Sequence, residues 1–424
     1  MLLTAVTTFG LLALSASSSI DSESSDDGST KIILAARKGP KGYASSLRRR
    51  KMSEINVPLG DYYLGTDLQW FGNISVGTPP QTVAVIYDTG SYTLEIDGVQ
   101  CGAPCGSQPK FDPSLSATFV DLNENSTLVF ETGIGVDPLE SDTDFVMYLT
   151  SARDTVTIGD IVTQNVSLYT IYNQTAAFTP DPFSGIQGMG PSIDGFWAGV
   201  VNKGLPALFG MYLTPKAVGH AELTIAGIDQ SKFQGKSHLL VIETNTDVHI
   251  GELTYANIPS GIDFLWELAS PVLYVNGETR SILRQNRTIY FDSGTPNVYF
   301  DTNTTEAIYA MISPEIQPYA PEPGAYGIAC SKIDQLPAEI SVTFTSITGE
   351  PFNLTVPSSE FNVGPFEDEP TICQTMINAL DVLDLLGGSL LKHYYSVWDI
   401  DNQRLGFAPN ALVNWLMFAS FISE

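Results

Sequence analysis

The sequence predicts an all-β protein built from two similar halves, and three observations carry that expectation. Charged residues are only 16% of the 424 residues, with 36 Gly and 18 Tyr. Low charge density of this kind, with abundant Thr and Val, suits many short strands joined by turns. Two acidic triplets, Asp88-Thr89-Gly90 and Asp292-Ser293-Gly294, stand 204 residues apart, each after an aromatic residue (Tyr87, Phe291) and before a hydroxyl one (Ser91, Thr295). Downstream of each lies an apolar stretch with glycine, Phe183-Ser184-Gly185-Ile186-Gln187-Gly188 and Leu385-Leu386-Gly387-Gly388. The same order occurring twice reads as an internal duplication of half-chain length. The length accommodates two domains with sizeable cores.

The duplicated triplets suggest a chemistry. Hydrolysis without a covalent intermediate needs one group to take a proton from water and another to protonate the carbonyl oxygen. Two carboxyls at contact distance do both, because they cannot both ionise cheaply. Gly90 and Gly294 permit tight turns whose N–H groups point at the carboxylates. Ser91 and Thr295 are expected to donate to the outer carboxylate oxygens. A lone Asp-Thr-Gly is more simply a surface turn; an embedded pair is not. Other hydrolase signatures do not occur: there is no Gly-x-Ser-x-Gly elbow and no His-Glu-x-x-His helix. The four histidines, His220, His238, His249 and His393, fall in no ligand or base motif. No metal or other cofactor is expected.

With these motifs the chain resembles the pepsin-like aspartic proteases, and more particularly their secreted fungal branch, over roughly Asp67 to Asn410. Trp70-Phe71-Gly72-Asn73-Ile74-Ser75-Val76-Gly77-Thr78-Pro79-Pro80-Gln81 is similar to the family's first strand and turn. Ser396-Val397-Trp398-Asp399 and Leu405-Gly406-Phe407-Ala408-Pro409 are similar to its closing strands. The resemblance implies a bilobal fold of two pseudo-two-fold-related, barrel-like lobes around a central cleft, with lobes at 52–240 and 241–410. It also implies Asp88 and Asp292 as the catalytic pair, supported by Thr89, Gly90, Ser91, Ser293, Gly294 and Thr295. Ile86, Phe130, Thr132, Gly133, Phe183 and Ile186 would then bind substrate and favour bulky apolar residues. The apolar-glycine strands would pass beneath the two turns.

Both ends lie outside the resemblance. The first 18 residues hold the apolar run Leu11-Leu12-Ala13-Leu14 before small residues, which reads as a signal peptide. Seven Asn-x-Ser/Thr sequons, at Asn73, Asn125, Asn165, Asn173, Asn286, Asn303 and Asn353, agree with secretion. Residues 19–51 read as a basic propeptide ending in Leu47-Arg48-Arg49-Arg50-Lys51, a dibasic processing site. Residues 1–51 hold eight of the 20 Lys and Arg, leaving twelve basic residues against 43 acidic ones in the body. Such an acidic body makes nucleic acid and anionic membranes poor partners. The apolar tail at 411–424 is too short to span a bilayer. Four cysteines suit two disulfides in a secreted chain; sequence order favours Cys101–Cys105 and Cys330–Cys373, and both pairings are similar to the family's.

The sequence departs from the family at the flap, the hairpin that closes over the cleft. Leu128-Val129-Phe130-Glu131-Thr132-Gly133 puts Phe130 where active members carry Tyr, and Glu95 stands where its Trp partner is expected. About a dozen extra residues follow, including the acidic run Glu140-Ser141-Asp142-Thr143-Asp144; loops tolerate such insertions. Gln187 replaces an apolar residue, and Pro296 stiffens the second turn. The sequence therefore leads to a secreted, monomeric endopeptidase working at acidic pH on protein or peptide substrates, made as a zymogen held by its own propeptide. Its place would be extracellular, with vacuolar or cell-wall association as variants. The alternative is a catalytically impaired glycoprotein of the same fold that binds peptides or a partner.

Overall fold

In the computed structural model the chain divides into two units at Ser53/Glu54. The structure describes residues 22–24, 30–32, 55–63, 66–130, 145–215, 218–233, 253–259 and 265–410. The expected signal peptide, most of the propeptide, the 240/241 lobe boundary, Thr132, Gly133, the flap insertion and the C-terminal tail lie outside them. In the first unit Ser22–Ser24 pairs antiparallel with Thr30–Ile32.

The second unit is built from sheets. Its backbone is a 13-stranded sheet. One end carries the closing hairpin, Tyr394–Asp399 with Arg404–Pro409. From there it runs through Leu208–Tyr212, Ala221–Ile225 and Ile55–Tyr63 into the first lobe. Three smaller sheets of five, three and four strands form the second lobe. The chain is thus all-β and bilobal.

Local sequence explains the hairpins. Val146–Ile158 and Ile161–Gln174 are joined by Gly159-Asp160, with Gly159 at φ +55°. A two-residue turn with positive φ matches the right-handed twist of its flanking strands. Strands that cross a lobe centre carry apolar runs: Val83, Val85, Ile86 and Tyr87 in Gln81–Asp88 are all buried. Val120–Val129 instead lies almost wholly exposed along its length. It pairs only with Val146–Ile158, as a projecting edge strand does. A buried cluster of Ile86, Leu149, Ile171, Phe178, Phe183 and Ile186 holds the inner side of this lobe. Each such side chain contributes about 1.5–3 kcal/mol by leaving water. Both expected disulfides are present, Cys101–Cys105 and Cys330–Cys373.

Two features tie the lobes together. An aromatic column runs under the cleft: Trp197 stacks on Phe209 at 5.4 Å, Phe209 on Trp398 at 5.7 Å, and Trp266 meets Trp398 edge-on at 5.4 Å. Beside it Lys392, 4% exposed, places its ammonium 2.7 Å from Asp67 and 2.5 Å from Glu360. Burial alone would lower the Lys392 ammonium, but Glu360 and Asp67 outweigh it and hold it above its ordinary value. Glu360 also meets His393 at 3.0 Å. Removing the central cation would leave two carboxylates facing each other out of water, a loss of about 3–5 kcal/mol. Lys392→Met is therefore expected to lower thermal stability by that order, read as a drop in Tm. Asp67→Asn, which leaves the Glu360 partner in place, should do less harm.

Candidate active site

The two triplets meet at the junction of the lobes. In the first, Ile186-Gln187-Gly188 runs parallel to Ile86-Tyr87-Asp88, residue by residue. In the second, Asp384–Leu386 runs parallel to Ile289–Phe291. The strands expected beneath the turns therefore lie there. Met189 N–H donates to the Asp88 carbonyl at 2.7 Å, and Asp292 N–H donates to the Leu386 carbonyl at 3.2 Å. Each Asp is carried on a turn whose backbone is tied to a neighbouring strand, so its position follows from the sheets.

The triplets also grip each other. Thr89 Oγ1 donates to the Phe291 carbonyl at 3.0 Å, and Ser293 Oγ donates to the Tyr87 carbonyl at 2.6 Å. In return Ser293 N–H donates to Thr89 Oγ1 at 2.9 Å, and Thr89 N–H to Ser293 Oγ at 3.1 Å. These four bonds are related by the internal two-fold, and each hydroxyl is both donor and acceptor.

Above this grip sit the carboxyls. Gly90 N–H donates to Asp88 at 2.8 Å, and Gly294 N–H to Asp292 at 2.7 Å. A Cβ on Gly90 would fall 2.5 Å from Asp292 Cγ, and one on Gly294 would fall 2.5 Å from Asp88 Oδ1. Each glycine is thus the space in which the opposite carboxyl sits, so any side chain at either position displaces the other half of the pair. The hydroxyl support is asymmetric. Thr295 Oγ1 donates to Asp292 Oδ2 at 2.6 Å. Ser91 Oγ makes no hydrogen bond of good geometry, although it lies near enough to Asp88 to pull it down somewhat. Ser91 thus supports Asp88 with poorer geometry than Thr295 supports Asp292.

Asp88 and Asp292 are 6% and 7% exposed. Burial, then the Asp292 charge and hydrogen bond, raise Asp88 well above the ordinary carboxylate range; Ser91 and Gly90 offset only part. Asp88 consequently holds a proton more readily than an ordinary carboxyl.

The carboxyls line a cavity of about 450 Å³. Of the residues expected to bind substrate, Ile86, Phe130 and Ile186 form its wall on the first lobe. Phe183 does not. Its ring is drawn into the core behind, against Tyr62 at 6.1 Å and Phe71 at 5.9 Å. Phe130 keeps an aromatic ring at the lid position and packs edge-on against Phe178 at 5.9 Å. Glu95 lies on the same cavity wall. Sequence reasoning missed Trp266, Tyr290 and Leu383 on the opposite wall, where Leu385 also lies. Trp266 is anchored by a 2.7 Å bond from its indole N–H to the Met189 carbonyl. The alternation around Asp292 would have signalled Tyr290, whereas the Trp266 wall depends on long-range pairing. Among the described residues, no group of three or more His, Cys, Asp or Glu is placed to hold a metal ion.

Behind the first-lobe wall lie two more buried carboxyls. Burial pushes Asp97 up to about 7, with Lys110 opposing, and burial plus the Asp97 charge push Asp181 up to about 8. Groups raised in the folded state are protonated there while the unfolded chain ionises near pH 4. Their stabilisation is complete below that pH and is lost as pH rises through 7 to 8. Thermal unfolding followed from pH 4 to pH 8 should show Tm falling steadily, with a shallower fall in Asp181→Asn.

Comparison with known proteins follows the same geometry. The family described as eukaryotic aspartyl protease matches residues 69–410. Pepsin A of Rhinolophus ferrumequinum is 27% identical over 374 residues, covering 84% of this chain and 83% of that protein. Cathepsin E-B of Xenopus laevis is 26% identical, covering 81% and 80%. Cathepsin E of Mus musculus is 27% identical, covering 84% and 83%.

Proposed function

The chain belongs to the eukaryotic aspartyl protease family and is an aspartic endopeptidase; from that premise we propose that it is secreted as a zymogen and hydrolyses peptide bonds at acidic pH through Asp88 and Asp292. The observation that carries this reading is the reciprocal seating of the two carboxyls, each filling the space left by the other triplet's glycine. A water between them would lose its proton to the ionised carboxyl as the protonated one donates to the substrate carbonyl oxygen. Activity requires one proton on the pair, so it falls when pH rises far enough to remove it. Ile86, Ile186 and Phe130 offer an apolar wall to the residue before the scissile bond, which favours bulky apolar side chains.

Support for the secretory part is of a different kind. All seven sequon asparagines are exposed, as glycan attachment requires. The second unit begins at Glu54, shortly after the run Arg48–Lys51. Eight basic leader residues beside a strongly acidic body bind best while carboxylates are ionised. Acid therefore weakens the hold of the leader. Membership of the fungal branch, lobe limits at 52–240 and 241–410, and a monomeric state belong to the same proposal. No helix among the described residues is long and apolar enough to cross a membrane.

Two experiments test it. Asp88→Asn and Asp292→Asn should each lower kcat on denatured haemoglobin at least ~10³-fold, the scale of acid–base catalysis, without changing Tm greatly; near-wild-type turnover in either would remove the dyad assignment. Acidifying the full-length protein should release or cleave the leader near Arg50 or Lys51. A chain equally active at neutral and acidic pH with the leader attached would refute the zymogen reading.

A further inference from the structure

Glu95 puts a carboxyl on an otherwise mostly apolar part of the cleft wall. It sits in Leu94–Asp97, paired with Ile186 on one side and Tyr169 on the other. The residue is 0% exposed, and neither carboxyl oxygen makes a hydrogen bond of good geometry. Desolvation pushes it up to about 7, and the nearby Thr93 hydroxyl and its own backbone offset that only in part. A carboxyl buried for structural reasons alone is expected to have partners. This one has only the Thr93 hydroxyl and its own backbone nearby and no charged partner, yet it borders the cavity that holds Asp88 and Asp292.

The surroundings specify what would satisfy it. Asp88, Asp292, Tyr92 and Tyr290 are the other titratable groups on the cavity wall. Tyr169 lies on the neighbouring strand, and Asp97 two residues along its own. Among the described residues no Lys, Arg or His lines the cavity. Three carboxyls and no cation make the cleft a receptor for positive charge.

We propose that Glu95 is a specificity-determining residue that receives the cationic side chain of a substrate Lys or Arg seated against Ile86 and Ile186. This rests on the endopeptidase reading and adds a basic residue to its apolar preference. The methylene stem of Lys or Arg packs on the two isoleucines and Phe130 while its head meets the carboxylate. Glu95 is already out of water, so a bound cation supplies the charged partner it lacks without further desolvation of the acid. The carboxyl is closed to solvent in this conformation. Movement of the flap strand, whose Leu128, Val129 and Phe130 share the cavity wall, admits the side chain. An opposite charge favours the ionised acid. The advantage of Lys over an uncharged side chain of equal length therefore grows as pH rises through the acidic range.

The test compares peptides identical except for Lys, Arg or norleucine immediately before the scissile bond, measuring kcat/KM from pH 3 to pH 6. The Lys/norleucine ratio should rise about tenfold or more in the wild type and stay within about twofold in Glu95→Gln, as expected where a buried polar group reads its ligand. A flat ratio in the wild type overturns the proposal whatever the variant does. A rise that survives in Glu95→Gln also overturns it, and assigns the preference to the dyad. Failure of the endopeptidase reading looks different: the norleucine peptide would show no pepstatin-sensitive cleavage. In that event calorimetric binding of the same peptides to the Asp292→Asn protein decides, with tighter Lys binding at pH 6 than at pH 3 supporting Glu95 and equal binding rejecting it.

Discussion

Everything at the cleft depends on four hydrogen bonds between Thr89 and Ser293 and the opposing backbone. Two lobes that share one catalytic pair face a mechanical problem, since a small rotation of either separates the carboxyls. Each hydroxyl here donates to the backbone of the other lobe and accepts from the other triplet's N–H, between 2.6 and 3.1 Å. The arrangement has no slack, because every donor and acceptor in it is used. It also explains why a hydroxyl residue and a glycine recur together after each Asp. The first ties the lobes, and the second vacates the space that the opposite carboxyl enters.

The remaining architecture reads as support for that junction under acidic conditions. The aromatic column and the Lys392 cluster bind one lobe to the other, one by packing and one by charge. Opposite pH behaviours coexist. Burial raises Asp97, Asp181 and Glu95, so these groups favour the folded state when protonated. Glu360 behaves in the opposite sense: although burial would raise it, His393 and Lys392 together hold it below its ordinary value. Its contribution is present above the ordinary carboxylate range and is lost only as pH falls through the depressed one. The buried carboxyls are therefore the part adapted to acid, and the interlobe clamp the part that acid eventually weakens.

Much of this was legible in the sequence, and the limits follow from chain distance. Local signals carried far: the duplicated triplets announced the site, the low charge density announced strands, and the apolar-glycine stretches announced what lies beneath the turns. Features joining distant positions were invisible. Lys392 and Asp67 are 325 residues apart, and nothing near either marks the other. Trp266 reaches the cleft only because its strand neighbours fold back on Arg287–Phe291. The family resemblance implied Phe183 as a cleft residue, but aromatic partners from other strands hold its ring in the core. Glu95 was visible as an oddity beside Phe130, while its burial and lack of a charged partner emerged only from three-dimensional packing.

The central claim is that the cross-lobe grip, and not the carboxyls alone, makes the pair competent. Thr89→Val removes one hydroxyl from the grip, keeps the side chain's volume and leaves both Asp residues in place. Steady-state kinetics of that variant on one apolar peptide at acidic pH, alongside its Tm, is the direct measurement. The account predicts a fall in kcat of about 10²-fold with KM little changed, the effect of a misplacement of about 1 Å between reacting groups. A folded Thr89→Val protein with wild-type kcat would contradict it.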